Sequence, residues 1–250
     1  MKKMIVGVFV LLSVQLFSQQ ADVLLKEAEN LERSLKEEAA LDKYKQVLAA
    51  DPGNIRALVK SSELSSAVGA RQADKNAKAG YYNLAKNYAD KAISIDSNSA
   101  DAYYVRAVVA GKLTEIETEN KKLVADVKDI KTYADKALSI NPNHARANYV
   151  LGKWNYEVLT LSWAKKAAVK VLFGGMPPAT IENAYKHMEK CKAIEPYFVP
   201  NYLDLAKVYK YDHKPAQSIE VLNQLVKLPT RTGDDAALKS EGKKLLSEMQ

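Results

Sequence analysis

Cysteine is all but missing from this chain: Cys191 is the single one in 250 residues. No disulfide can form within one chain, and no cysteine near the N-terminus could accept a lipid, so the fold must be held by its core. Glycine and proline number only ten and eight, and phenylalanine four, which excludes collagen-like and proline-glycine low-complexity architectures. Histidine is rarer still. His144, His187 and His213 are too scattered for the short ligand spacings of a zinc site, and they read as exposed surface residues. Gly174-Gly175 has neither the preceding strand nor the following Lys-Ser/Thr of a phosphate loop. Cys191 sits at a small-residue packing position of a helix and reads as a buried, inert thiol rather than a nucleophile. Carboxylate pairs such as Glu37/Glu38 and Asp234/Asp235 read as a solvated helix face and a helix start. No catalytic residue, metal ligand or cofactor is expected, and the chain is not expected to be an enzyme.

An apolar run long enough to span a bilayer is also lacking, since a span needs about twenty residues. Residues 1–18 instead combine Lys2 and Lys3, the apolar stretch Met4–Leu12 and a smaller, more polar end at Ser18. That layout reads as a secretory signal peptide cut after Ser18, with a retained anchor as the alternative. It leads to the expectation of an exported protein, in the periplasm or cell envelope of a bacterium, with residues 19–250 as the mature domain. Charge is uneven along that domain. Residues 19–140 hold 19 basic and 19 acidic side chains, whereas residues 141–250 hold 16 and 11. The basic excess suits an acidic peptide or an anionic lipid surface. No basic run is dense enough for nucleic acid, so none is expected as a partner.

What the sequence has in abundance is alanine, lysine, leucine and glutamate in helical periodicity, written in repeats. YADKAISIDSNSADAYYV (Tyr88–Val105) and YADKALSINPNHARANYV (Tyr133–Val150) agree at twelve of eighteen positions, forty-five residues apart. ALDKYKQVLAADPGN (Ala39–Asn54) and AYKHMEKCKAIEPYF (Ala184–Phe198) follow the same pattern. Each is a helix stopped at Pro52, Ser97, Pro142 or Pro196, and new amphipathic helices are predicted to start at Ile55, Ala100, Ala145 and Val199.

This pattern resembles the tetratricopeptide repeat, a helix–turn–helix unit of 34 residues. Leu151 and Gly152 fall at its Leu-Gly positions, and Ala184, Met188 and Cys191 at the small and bulky positions of its second helix. Tyr202, Leu205, Ala206 and Tyr209 match a first helix, as do Tyr103 and Ala107. The 45-residue spacing exceeds 34 by eleven, about three helical turns, which lengthens a helix without rotating its buried face out of register. Two long hairpins are therefore predicted, Ile55–Ile95 and Ala100–Ile140, with second helices beginning near Asp74 and Glu119. The fourth unit instead carries an insert, residues 159–180, LTLSWAKKAAVKVLFGGMPPAT. It contains an amphipathic helix broken at Gly174, Gly175, Pro177 and Pro178. The insert helix reads as an extension packed on its neighbour, a membrane-surface helix, or a lid over an apolar pocket.

From Tyr133 to Met249, the Trp-bearing helix, the KVLFGGMPP bend and YKHMEKCKAIEPYFVPNYLDLAKVY are similar to the regulator of microtubule dynamics family. The resemblance implies a non-catalytic helical repeat domain that binds other molecules. The expected fold is an all-α, tetratricopeptide-like right-handed superhelix of about five hairpins, with a C-terminal capping helix over Asp234–Glu248. In such a superhelix the first helices line a concave surface. The family's spacing places Arg56, Tyr104, Arg146, Tyr149, Lys153, Tyr156, Lys207, Lys210 and Tyr211 on that surface, where rings and cations would suit an acidic peptide or a lipid headgroup. The leading expectation is an exported adaptor holding a protein or peptide segment there. The alternative is a carrier or sensor of lipid or another amphiphile, in an apolar cavity at the insert lined by Trp154, Trp163, Leu172 and Phe173. A structural scaffold in an envelope assembly is a third reading. The residues leave the oligomeric state open.

Overall fold

The computed structural model describes residues 20–249, and the candidate signal segment 1–18 lies outside them. The described residues form twelve helices and no strand. The chain divides at the turn inside the first member of the twin pair, into residues 1–97 and 98–250.

The first unit contains α1 (20–33), α2 (Glu37–Ala50), α3 (Ile55–Ala70) and α4 (Lys75–Ile95). Two hairpins result, α1–α2 and α3–α4. Tyr44, Leu41 and Val47 of α2 are fully buried against Ala28, Ala57 and Leu64. The Tyr44 hydroxyl donates to Glu32, and burial together with that carboxylate raises its pKa far above the tyrosine range. α3 and α4 approach closely at Gly69, where a Cβ would lie 2.7 Å from that of Tyr81. The Ser62 hydroxyl donates to the Ala85 carbonyl across the same joint, at 2.9 Å. Glu37 departs from the expected solvated face: it is buried and paired with Arg71.

The second unit contains α5 (Ala100–Thr114), α6 (Asn120–Ile140), α7 (Ala145–Thr160), α8 (Trp163–Phe173), α9 (Ile181–Ile194), α10 (Val199–Tyr211), α11 (Pro215–Leu225) and α12 (Asp235–Ser247). Three hairpins, α5–α6, α7–α9 and α10–α11, stack so that α7 contacts both α5 and α10, and α12 closes against α10 and α11. Gly242 lets α12 lie down, because a Cβ there would come within 2.3 Å of the Leu225 side chain. Gly152 has the same role between α7 and α9, where a Cβ would meet Met188 Cγ at 2.6 Å. Leu203, Leu205, Leu222 and Leu225 are fully buried in this core, each contributing roughly 1.5–3 kcal/mol.

The predicted starts hold at all four repeats, at Ile55, Ala100, Ala145 and Val199. So do the long second helices: α4 and α6 each run 21 residues, N-capped at Asp74 and Glu119. Their buried stripes, Tyr82–Ala85–Ala89–Ala92 and Val124–Ile130–Ala134–Ala137, keep one face through the added turns. At the repeat turns one capping position is filled differently each time. Asn54, Ser99 and His144 accept from the backbone N–H three residues on, and Phe198 is followed by Pro200 instead.

The histidines therefore correct the reading as exposed surface groups. His144 caps α7 through Nδ1 and meets Asp101 through Nε2 at 2.9 Å. His187 is half-buried and bonded to Asn148 at 2.9 Å, and burial lowers its pKa. Only His213 is exposed. Asp235 is buried, accepting from the backbone of Arg231 and Thr232 to fix the turn before α12.

Candidate functional site: a polar-aromatic cleft and an apolar hollow

A cleft of about 850 Å³ opens in the second unit where the C-terminal halves of α10 and α12 meet the end of α7. Tyr156 and Tyr211 form its aromatic edge, ring to ring at 5.8 Å and nearly perpendicular. Lys207 and Lys210 line one wall, and Lys244 and Leu245 of α12 the other, with His213 at the end. Lys207 is paired with Glu241 at 2.8 Å, and Lys210 approaches Glu248 at 3.9 Å. Lys244 is exposed and meets no carboxylate among the described residues. The cations stand near helix C-termini, where the unpaired carbonyl ends favour positive charge.

Beneath the cleft lies a tighter network. Asp204 of α10 is 8% exposed and accepts from the Tyr149 hydroxyl at 2.7 Å and Lys153 Nζ at 2.9 Å, with Lys207 Nζ at 3.7 Å. Burial alone would raise the Asp204 pKa, but Lys153, the Tyr149 hydrogen bond and Lys207 outweigh it and hold the carboxyl below its usual range. Burial works against the Lys153 charge too, yet the surrounding Tyr149, Asp204 and Glu157 raise its pKa. The Tyr149 hydroxyl is pushed well above the tyrosine range by burial and Asp204. These groups hold α7 to α10 in a fixed protonation state.

Of the nine surface residues expected from the repeat spacing, Tyr156, Lys207, Lys210 and Tyr211 meet in the cleft. Tyr149 and Lys153 belong to the network below it. Arg146 is committed to Glu195, donating at 2.8 Å through Nη2, and stacks over Phe198 at 4.9 Å. Tyr104 is corrected: it is buried against His144, centroid to centroid at 5.0 Å, and presents no open face to a ligand. Arg56 lies in the first unit, paired with Glu29 at 2.8 Å. The α12 wall was not anticipated. Its signal was the KKLLSEM register, which places Lys244 and Glu248 four residues apart beside Leu245.

The second opening is an apolar hollow of about 510 Å³ between α6, α7 and α8. Val124, Val127 and Ile130 face Trp154, Val158 and Val169 across it. The Trp154 indole N–H donates to the Val127 carbonyl at 3.0 Å. Among the four residues expected to line a pocket at the insert, Trp154 alone does so. Trp163 is 84% exposed, Leu172 is also exposed, and Phe173 lies under Lys128. The reason is helical phase: α8 turns Val169 inward, and Trp163 projects from the opposite side.

Among the described residues no group of three or more His, Cys, Asp and Glu could hold a metal, and no helix is long and apolar enough to cross a membrane. Cys191 is fully buried, its thiol pushed up to about 12 by burial and the Glu195 carboxylate.

The antiparallel hairpins, the small-residue joint at Gly152 and the closing helix α12 define a tetratricopeptide-like helical-repeat protein. Solved structures agree on the fold. A tetratricopeptide protein of Thermus thermophilus superposes with a TM-score of 0.64 at 14% identity, covering 91% of this chain and 99% of that one. PilW, a type IV pilus biogenesis factor, follows at 0.53 and 16% identity, covering 92% and 90%. The chain belongs to the Regulator of microtubule dynamics protein 1-3 family, whose model matches residues 17–250. Human Regulator of microtubule dynamics protein 2 is 28% identical over 172 residues, 68% of this chain and 42% of that protein. Caenorhabditis elegans Regulator of microtubule dynamics protein 1 is 26% identical, covering 65% of this chain and 72% of that one. The match thus spans well under half the length of the human relative. These animal relatives overturn the expectation of a bacterial periplasmic or cell-envelope protein: across residues 17–250 the chain follows a family whose curated members are named for microtubule dynamics.

Proposed function

We propose that the chain is a non-catalytic adaptor whose second unit holds an acidic segment of a protein partner in the cleft between α7, α10 and α12. The observation that carries this reading is the convergence of Tyr156, Tyr211, Lys207, Lys210 and Lys244 on one open, polar-aromatic cleft. Rigid rings supply contact area at little entropic cost, and lysines at a rim add complementarity to an acidic partner. Lys153 and Arg146 are already engaged by Asp204 and Glu195, so recognition falls to the residues beyond that network. The test is a pull-down and titration with wild type and the Lys210→Glu, Lys244→Glu pair. Affinity for acidic peptides should fall about tenfold or more. An unchanged set of partners at unchanged affinity would remove the cleft as the binding surface.

A second reading, a carrier of a lipid or other amphiphile, draws on the hollow at α6, α7 and α8. Its lining is mostly apolar, with Glu157 and Lys165 among the polar residues at it, and its volume fits one aliphatic chain rather than a whole two-chain lipid. Native mass spectrometry of gently purified protein separates the two readings: a co-purified amphiphile favours the carrier, and a clean apo mass the adaptor.

A further inference from the structure

α8 shows its apolar residues to solvent. Val169 is buried and Phe173 half-buried on its inner side. Trp163 and Val171, by contrast, are 84% and 79% exposed. With Ala167 they are spaced i, i+4, i+8, one continuous ridge on the outer face. Leu172 and Met176 extend the exposed apolar surface. The helix then stops at Gly174, left-handed with φ of 82°, so Met176 sits on a bend rather than on another packed turn. A contiguous apolar ridge at a helix surface marks an interaction site more often than scattered exposed side chains do.

Charge identifies what the ridge meets. Between Glu157 and Glu182 there is no acidic residue, while Lys165, Lys166 and Lys170 lie on α8 itself. In a chain with 30 acidic residues, such a gap gives the face a single sign. A tryptophan at the end of an apolar ridge, with a lysine beside it, suits the interface of a bilayer, where the ring sits at headgroup level and the lysine stem reaches the phosphates. A second copy of this chain is a poor occupant, because α8 carries three lysines and no acidic residue, so two copies would bring like charge to like. We propose that α8 docks this protein on membrane surfaces rich in anionic lipid, with the Trp163–Val171 ridge in the headgroup region and Lys170 beside it on lipid phosphates. The proposal uses the outer face of α8 alone and is independent of both the cleft and the hollow.

The experiment is flotation of the full chain with vesicles of phosphatidylcholine alone and of phosphatidylcholine mixed with phosphatidylserine, followed by tryptophan emission. Trp154 is already buried, so a blue shift reports Trp163 entering the interface. Wild type should float with the mixed vesicles, shift to the blue, and release as salt screens the lysines. Binding should fall about tenfold or more in Trp163→Ser with Val171→Ser, and severalfold in Lys170→Glu. Both variants replace exposed side chains, so melting curves should match wild type. Flotation with neither vesicle, equal flotation with both, or undiminished binding by the Trp163→Ser, Val171→Ser variant would overturn the proposal. So would a concentration-dependent dimer that this variant abolishes, which would assign the ridge to a second copy.

Discussion

α7 has two unlike sides. Toward α10 it presents Tyr149, Lys153 and Tyr156, a polar stripe whose first two members engage the nearly buried Asp204. Toward α6 and α8 it presents Trp154, Val158 and Leu161, an apolar stripe facing a hollow. Tyr149, Lys153 and Tyr156 keep the i, i+4, i+7 spacing of one helix face, and Trp154 and Val158 the i, i+4 spacing of another, with Leu161 just past the helix end. The difference lies in what the neighbours supply. α10 is an ordinary repeat neighbour and its side chains complete the seam. α8 is an insert, and the eleven residues of its helix do not fill the space between two full-length helices. Regular repeat geometry thus closes the polar side at Tyr149 and Lys153 and leaves it open only at Tyr156, whereas departure from it opens the apolar side.

Removing the largest side chain on the apolar side should have the greatest effect. Trp154→Ala deletes a buried indole and its bond to the Val127 carbonyl, a loss of about 3–5 kcal/mol. Urea unfolding followed by circular dichroism measures it. A loss below about 1 kcal/mol, well short of that range, would mean the hollow collapses onto the gap and that the two sides of α7 are equally adaptable.

On the polar side, Asp204→Asn leaves Lys153 without its strongest partner. Breaking a buried pair costs about 3–5 kcal/mol, but Lys153 is 39% exposed and can regain water, so about 2 kcal/mol is expected. The pH dependence has a definite sign. Asp204 has a folded pKa below its unfolded value, so its contribution is complete above the ordinary aspartate range and is lost as pH falls through the depressed value. Wild type should therefore lose stability in acid more steeply than Asp204→Asn. Parallel acid profiles would show that the seam is not where this acid sensitivity resides.

The helices of this seam were legible in the sequence because they rest on local signals. Stops at Pro142 and Pro196 and apolar periodicity fix α7 and α10 without any knowledge of neighbours. Eleven added residues predicted long helices correctly, since that insertion preserves facing. The partner of Lys153 was not legible: Asp204 lies 51 residues away, and only the stacking of α7 on α10 brings it close. Trp163 was misplaced for a related reason. Its own periodicity defines a stripe, but the break at Leu161-Ser162 resets the helical phase, and docking of Val169 on the inner side sets which stripe faces inward.

Filling the hollow should move stability the other way. Val158→Leu adds a methylene at a buried position on its wall and should raise stability by about 0.5–1 kcal/mol, the usual gain from filling a void. A destabilised variant would show that Val158 is packed tightly and that the free volume lies nearer α8. If an amphiphile occupies the hollow, the same variant should retain less of it on purification, with the cleft unaffected.

The smallest effect on stability is expected at the cleft, where the polar side of α7 runs out of internal partners. Tyr211 is 48% exposed and Lys244 meets no carboxylate among the described residues, so Tyr211→Ala and Lys244→Ala should each change unfolding free energy by less than about 0.5 kcal/mol. Binding should respond in the opposite order, since exposed rings and unpaired cations are free to meet a partner while Asp204, Tyr149 and Lys153 are not. Acidic-peptide affinity measured beside denaturant midpoints makes this a direct comparison. A Tyr211→Ala variant that keeps its midpoint and loses affinity places recognition outside the seam. One that loses stability and keeps affinity would make Tyr211 a packing residue through its contact with Tyr156, and would leave the lysines alone to define the surface.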